Sequence, residues 1–537
     1  MKLLRVHVIS AKTCGGMLDG LDLTLRSAAT EYSQFDPLCF VGPNGAGKSQ
    51  FLQILAEMFQ SIFHACIPTE ERSDINTDVL FQLEYLIRPP RKRKPIHVRV
   101  SRMQESSLAI ETSTDGEWKS QELDTLETLY LLPTKLIAYT SGGNETLSLP
   151  FLVSRSGYAS DVADRALNAK KETASIPDTR LMLIDYGTNL EVLTANLLLG
   201  TVAGRHSLLE HAKLTDIHSF RCIIQLAHKA VPKRPKGVNS KRKGVQLTPE
   251  LELQIDRLRK CATCHSYDED SEVYTFDYLV LESTRAAFRF FWSTALELYN
   301  AFHKFAMLND LAISRTTRRR FKKDTKLRRF ASRLPEPQDE EKVFRFESVQ
   351  FVKQKRSEPV DYVALSDGEH QLAQLLGTMS MISFPGAIFI LDEPESHFNP
   401  KWRVKCISSL LDVPTLNGPR RNGPTGSNSA EQECILTTHS PFVPSDMHRD
   451  RVFIFSKSSQ GLVEVRHPNI ETYGATFDTI VEECFDVRPP ISQKPLDELD
   501  ALRESKNANE IADAIAGFGD SVEKAILLDR VRQLRKK

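Results

Sequence analysis

At 537 residues the chain exceeds one ordinary core, so two or more domains are expected. Apolar residues make up 41% and charged residues 26%, the balance of a soluble globular protein, and Lys+Arg equals Asp+Glu at 70 each, so net charge says nothing about an anionic partner. Arg5 and His7 interrupt the only apolar N-terminal run, no run is long enough to span a bilayer, and the nine cysteines are scattered and odd in number. A cytoplasmic chain with reduced thiols and no membrane contact is expected.

Leu3–Ile9 and Leu21–Arg26 alternate and read as neighbouring strands, with Cys14–Gly16 as the turn region. Leu38–Val41 is a short apolar run, and Gln50–Phe59 puts Phe51, Leu52, Leu55, Met58 and Phe59 at helical spacing. Between them stand Gly42, Pro43, Asn44, Gly45, Ala46, Gly47, Lys48 and Ser49, followed by Gln50, which fit the phosphate-binding template G-x-x-x-x-G-K-[ST]. Glycines let backbone N–H groups curl around phosphate oxygens, and a helix N-terminus adds partial positive charge. Lys48 would reach the β/γ-phosphates of ATP, and the Ser49 hydroxyl would ligate Mg²⁺. Val79–Ile87 and Ile96–Ser101 read as a hairpin across a basic, Pro-rich turn, Arg88–Pro95, which is as much a solvated tip as a nucleic-acid contact. Leu136–Tyr139 reads as a further strand.

From about 150 to 345 the pattern turns mostly helical. Thr248 caps a helix with Pro249 at its first position, and an aromatic-rich helical pattern runs from Phe276 to Leu311, read as a core stripe. Sustained heptads are lacking, so no long coiled coil is expected. Lys233–Lys236 with Lys241–Lys243 is a loop-like basic run. Arg315–Arg333 is denser: ten of its nineteen residues are basic, including Arg318, Arg319, Arg320, Lys322, Lys323, Arg328 and Arg329, against Asp324 alone. It reads equally as a phosphate-backbone contact or a partner-protein patch. Cys261, Cys264 and His265 lack a second ligand pair nearby and are read as structural.

Ala387–Pro394 is an apolar strand delivering Asp392, expected to hold Mg²⁺, and Glu393, expected to polarise the attacking water. Before it, Ser366 and Glu369 form a capping box opening a helix that contains Gly368. Free N–H groups at that start suit a second phosphate contact, most simply reaching a nucleotide held by another subunit. Val413–Ser429 reads as a loop. Leu496–Arg535 reads as an amphipathic helical tail, fit for docking a partner or for packing on the chain itself.

Gly42–Ser49, Leu365–Glu369, Ile390–Pro400 and Leu436–Pro441 together resemble the ATP-binding-cassette-type heads of the SMC/Rad50 and OLD-like AAA ATPases. The resemblance implies signature roles for Ser366 and Gly368, a D-loop role for Asn399 and Pro400, and a switch role near the γ-phosphate for His439, giving Lys48, Glu393 and His439 as catalytic candidates. No glutamine clearly matches the Q-loop, and Thr140–Glu145 is the candidate for its place. More narrowly, Lys2–Ile9, Ile137–Glu145 and Glu471–Phe477 make the chain similar to the ATPase subunits of Septu anti-phage systems, including retron-associated ones. That likeness implies a homodimer or higher homo-oligomer, a separate HNH nuclease as partner and, in retron-associated versions, a reverse transcriptase with its DNA–RNA product. No Toprim-type EG…DxD pattern follows His439. The fold expected is α/β, a P-loop head built from both chain ends with a mainly helical insertion. Its parts would be an N-terminal lobe (1–150), the insertion (151–345), a C-terminal lobe (346–485) and a helical tail (486–537). A DNA repair or maintenance ATPase and a self-contained ATP-dependent nuclease stay open as alternatives.

Overall fold

The computed structural model describes all residues except 73–74, 106, 115, 143–144, 167–175, 228–241, 327–336, 354–357, 416–417, 420–427 and 537. The described chain forms two compact units, Met1–Gly474 and Ala475–Lys537. Among the described residues, no helix is long and apolar enough to cross a membrane.

The first unit is built on a seven-stranded sheet in the order Val463–Arg466, Val452–Lys457, Leu38–Val41, Glu433–Thr437, Ala387–Asp392, Lys135–Thr140 and Leu181–Ile184. All neighbours pair in parallel except the first two, which pair antiparallel. Leu38–Val41, Glu433–Thr437 and Ala387–Asp392 are buried at every position, the continuous apolar runs of a sheet covered on both faces. A six-stranded antiparallel sheet contains Lys2–Ala11, second from one edge, and at its centre the expected hairpin of Val79–Ile87 with Ile96–Gln104. The helix Lys48–Cys66 belongs to one apolar cluster with both sheets, through Phe51, Leu55, Phe59, Val6, Phe81, Ile390 and Phe455 among others. It is therefore buried almost all round rather than along one stripe. Two of its buried amides are paired: Gln53 Nε2 donates to Glu57 Oε1 at 3.0 Å, and Gln60 Nε2 donates to the Pro150 carbonyl at 3.0 Å.

Helices dominate the stretch between the lobes, as expected, yet a five-stranded antiparallel sheet accompanies them. Its order is Cys264–Asp268, Val273–Leu279, Leu214–Gln225, Phe344–Lys353 and Val360–Asp361. Register shifts along Leu214–Gln225 break the two-residue alternation that would have revealed it. The helical pattern expected over Phe276–Leu311 is also divided. Phe276 lies in a strand, and the helices Glu282–Phe291 and Ala295–Met307 are separated at Trp292–Thr294, where Thr294 caps the second through the Glu297 N–H. Phe288, Trp292, Tyr299 and Phe302 are buried as expected, whereas Phe290 is 82% exposed.

The second unit contains the helices Phe477–Phe485, Gln493–Glu504, Ala508–Ile515 and Val522–Lys536. Leu499, Ile511, Ile515, Leu527 and Val531 form its own small core, so the expected single tail is a set of helices packed on one another.

Candidate active site

The loop after Leu38–Val41 is shaped by glycine. Gly42 has φ 133° and Gly47 φ 101°, conformations that side chains resist. Space forbids a side chain as well: a Cβ on Gly42 would lie 2.2 Å from the Phe455 carbonyl oxygen, and one on Gly47 would lie 2.6 Å from Val463. Lys48 Nζ donates to the carbonyls of Gly42 at 2.9 Å and Pro43 at 3.2 Å, which holds the ammonium against the loop it follows. Burial lowers its pKa, opposed by the charges of Glu393 and Asp392.

Strand register brings the remaining groups together. Asp392 pairs with Thr437, and Thr437 pairs with Phe40, so three adjacent strands end level with one another. The first turn of Lys48–Cys66 then places Ser49 Oγ 3.1 and 3.2 Å from the two Asp392 carboxylate oxygens. Thr437 donates its hydroxyl proton to Asp392 Oδ1 at 2.6 Å and accepts the Glu393 N–H at 3.1 Å. Glu393 has φ 48°, a left-handed conformation that turns the chain sharply after the strand. His439 Nε2 lies 3.4 Å from Glu393 Oε1, with side chains 33% and 39% exposed. Burial lowers the His439 pKa and the Lys48 charge adds to it, while Asp392 opposes. The imidazole is accordingly neutral at pH 7.

Lys48, Ser49, Asp392, Glu393 and His439 therefore converge. A hydroxyl and a carboxylate side by side suit Mg²⁺, which takes few protein oxygens and completes its shell with phosphate and water. The loop's Gly45 has φ 75° and open space where a side chain would stand, so its backbone is accessible to a phosphate.

Ser366 and Gly368 stand at a second location. Ser366 caps the helix Asp367–Met381, and the box with Glu369 is complete: the Ser366 N–H and Oγ reach Glu369 Oε2 at 2.8 and 2.9 Å. A Cβ on Gly368 would lie 2.7 Å from the His397 carbonyl, so glycine lets this helix start abut the segment leading to Asn399. Asn399 caps the short helix Pro400–Arg403, with Pro400 at its first position. Gln371 Nε2, on the same helix as Gly368, donates to the Ser141 carbonyl at 2.6 Å, tying it to the Thr140–Glu145 segment. Gly143 and Asn144 lie outside the described residues.

Of the basic candidates, Arg319, Arg320 and Lys323 are exposed on the helix Arg315–Lys326, and Arg318 Nε donates to the Ile313 carbonyl at 3.1 Å. The Lys322 side chain, Arg328 and Arg329 lie outside the described parts, as do Lys233–Lys236, Lys241 and most of the Val413–Ser429 loop. At the hairpin turn Arg91–Lys94 are exposed, while Arg88 turns inward to pair with Glu431. Cys261 is buried, whereas Cys264 and His265 are exposed on an edge strand. Sequence reasoning assigned no role to Thr437, Thr438 or Glu395, whose mutual contacts arise from strand register rather than from any local pattern.

Residues 276–446 match the family model described as "AAA domain, putative AbiEii toxin, Type IV TA system". That stretch is similar to an AAA-type ATPase domain. The matched stretch includes Ser366, Asp392, Glu393 and His439, and the loop Gly42–Ser49 precedes it. No curated protein matches the sequence at a significant level. Among solved structures, the chain is similar to the "SMC head domain from Thermotoga maritima", at 10% identity and a TM-score of 0.32, covering 88% of this chain and 100% of that chain. In the seven-stranded sheet the strand ending at Thr437 separates the P-loop strand from the strand ending at Asp392.

Proposed function

We propose that the chain binds and hydrolyses ATP and acts as a regulatory subunit of an anti-phage defence complex. Its effector would be a separate HNH-type nuclease, and a retron-type reverse transcriptase with its DNA–RNA product would be a further partner. The observation that carries the hydrolytic reading is the convergence of Lys48, Ser49, Asp392, Glu393 and His439 at the level ends of three parallel strands. The defence reading is supported by the similarity to a family described as a putative toxin of a toxin–antitoxin system, and by the Septu-like stretches Ile137–Glu145 and Glu471–Phe477.

In this reading the loop amides and Lys48 hold the β/γ-phosphates, and Ser49 with Asp392 holds Mg²⁺, which when bound neutralises charge developing on the phosphates. Thr437 fixes the Asp392 carboxylate. Glu393, set by its sharp turn, orients and polarises the attacking water; orientation and electrostatics supply most of the catalysis in phosphoryl transfer. The neutral His439 imidazole donates toward the developing charge. Two heads would sandwich the nucleotide, with Ser366 and Gly368 supplied by the second copy.

The test follows phosphate release and DNA or RNA cleavage together in the purified chain with Mg²⁺ and ATP. Hydrolysis without cleavage is expected of a regulator. Cleavage that survives in Glu393→Gln would assign a nuclease to the chain itself and contradict the proposal.

A further inference from the structure

Three consecutive residues of the switch segment each meet a different acid of the segment around Asp392. Thr437 donates to Asp392 at 2.6 Å, Thr438 Oγ1 donates to Glu395 Oε1, and His439 Nε2 lies 3.4 Å from Glu393. The outer two contacts serve the chemistry above. The middle one has no part in it and is the most deeply buried, with Glu395 2% and Thr438 0% exposed.

A carboxylate withdrawn from water is costly unless it is paired or carries its proton. Among the described residues no cation lies within ion-pair distance of Glu395, and its Oε2 is buried without a hydrogen-bond partner. Burial pushes its carboxyl up to about 7; the Glu393 charge adds to this, while the Thr438 hydrogen bond and Arg403 oppose it. Thr438 is held from three directions. Its hydroxyl donates to Glu395 and accepts the Ser440 N–H at 2.9 Å, and its own N–H donates to the Phe40 carbonyl at 3.1 Å. The backbone is thus pinned on both sides of His439, and the side-chain anchor of that pin is Glu395.

We propose that Glu395 is a positioning residue for hydrolysis: through Thr438 it fixes the switch segment, keeping Thr437 on Asp392 and His439 on Glu393. The inference rests on the hydrolytic reading of the site. Glu395 touches neither nucleotide nor attacking water; it acts through the Thr438 hydroxyl. A glutamine oxygen accepts from that hydroxyl as a neutral acid does, whereas alanine leaves the buried hydroxyl only the Ser440 carbonyl, at 3.5 Å, as an acceptor.

The experiment measures backbone hydrogen exchange in the peptide carrying Thr438–Ser440, in the nucleotide-free full-length chain, alongside steady-state hydrolysis by the same preparations. Glu395→Ala and Thr438→Val are expected to exchange about fivefold faster there, and to lose about tenfold or more in kcat with KM for ATP within about threefold. Glu395→Gln and Thr438→Ser are expected to stay within about twofold of the unaltered chain in both readouts. If Glu395→Ala fails to fold, Thr438→Val and Glu395→Gln carry the same comparison. Unaltered exchange in the Ala or Val variant would overturn the proposal. So would a Glu395→Gln as impaired as Glu395→Ala, since the carboxyl's own charge or proton would then be needed. A chain that hydrolyses nothing, but whose exchange responds as stated, would remove the hydrolytic reading and leave the Glu395–Thr438 anchor standing.

Discussion

Glu191, on the helix Asn189–Leu199, is an acid shaped chiefly by burial, with the Asp185 charge adding to it and its own backbone N–H and Lys342 opposing. Burial pushes its carboxyl up to about 8, and its Oε2 is buried without a partner among the described residues. The folded chain therefore keeps a proton that the unfolded chain releases above the ordinary glutamate range. Because the folded state binds more protons, stability is full at low pH and falls as pH rises from about 4.5 to about 8, by about 1.4 kcal/mol per pH unit at most. Glu191→Gln removes the titrating group. Thermal melts are expected to show the variant and the parent alike at pH 5 and the variant the more stable at pH 8; an equal difference at both pH values would refute this. At the same scale, Lys48, Ser49, Asp392 and Glu393 were legible because each sits in a motif whose spacing encodes its chemistry. Thr437 was not, because a threonine ending a buried strand reads as a strand former. Its bond to Asp392 depends on the register of two strands 45 residues apart in sequence.

Elements show the same division between what is local and what is not. The P-loop strand, its helix, the acidic strand and the capping box at Ser366 were all readable from runs and spacing. The sheet through Leu214–Gln225 was not, since its register shifts erase the alternation, and the break at Trp292–Thr294 was overlooked although Thr294 and Glu297 spell a helix start. What ties the antiparallel sheet to the parallel one is equally non-local. Glu433, the first residue of its strand, accepts from the Leu3 N–H at 2.7 Å and pairs with Arg26 at 3.0 Å, with both charged side chains fully buried. Arg26→Met would remove the cation hydrogen-bonded to that carboxylate, leaving it the nearby Lys2 charge and two backbone N–H groups, and is expected to destabilise the chain by about 3 kcal/mol in urea unfolding; a midpoint within error of the parent would count against the pair's structural role. The basic helix Arg315–Lys326 makes a separate prediction. Arg319 is exposed, and the Arg320 side chain is 80% exposed with Asp324 3.6 Å away. Neutralising Arg318, Arg319 and Arg320 is expected to flatten the plot of log affinity for nucleic acid against log salt by about 2–3 in slope. An unchanged slope would give the helix to a protein contact.

At the scale of the whole molecule, every residue of the converging site lies in the unit Met1–Gly474, drawn from both halves of that unit by the parallel sheet. The helical unit Ala475–Lys537 has its own core and contributes none of those residues. The residues proposed for nucleotide chemistry thus all belong to the first unit. The most direct test compares ATP binding and phosphate release in the full-length chain, its Lys48→Ala variant and its Glu393→Gln variant. The account predicts that Lys48→Ala loses binding, and that Glu393→Gln binds ATP as tightly as the parent while hydrolysis falls by about a hundredfold or more. Phosphate release undiminished in Glu393→Gln would contradict it.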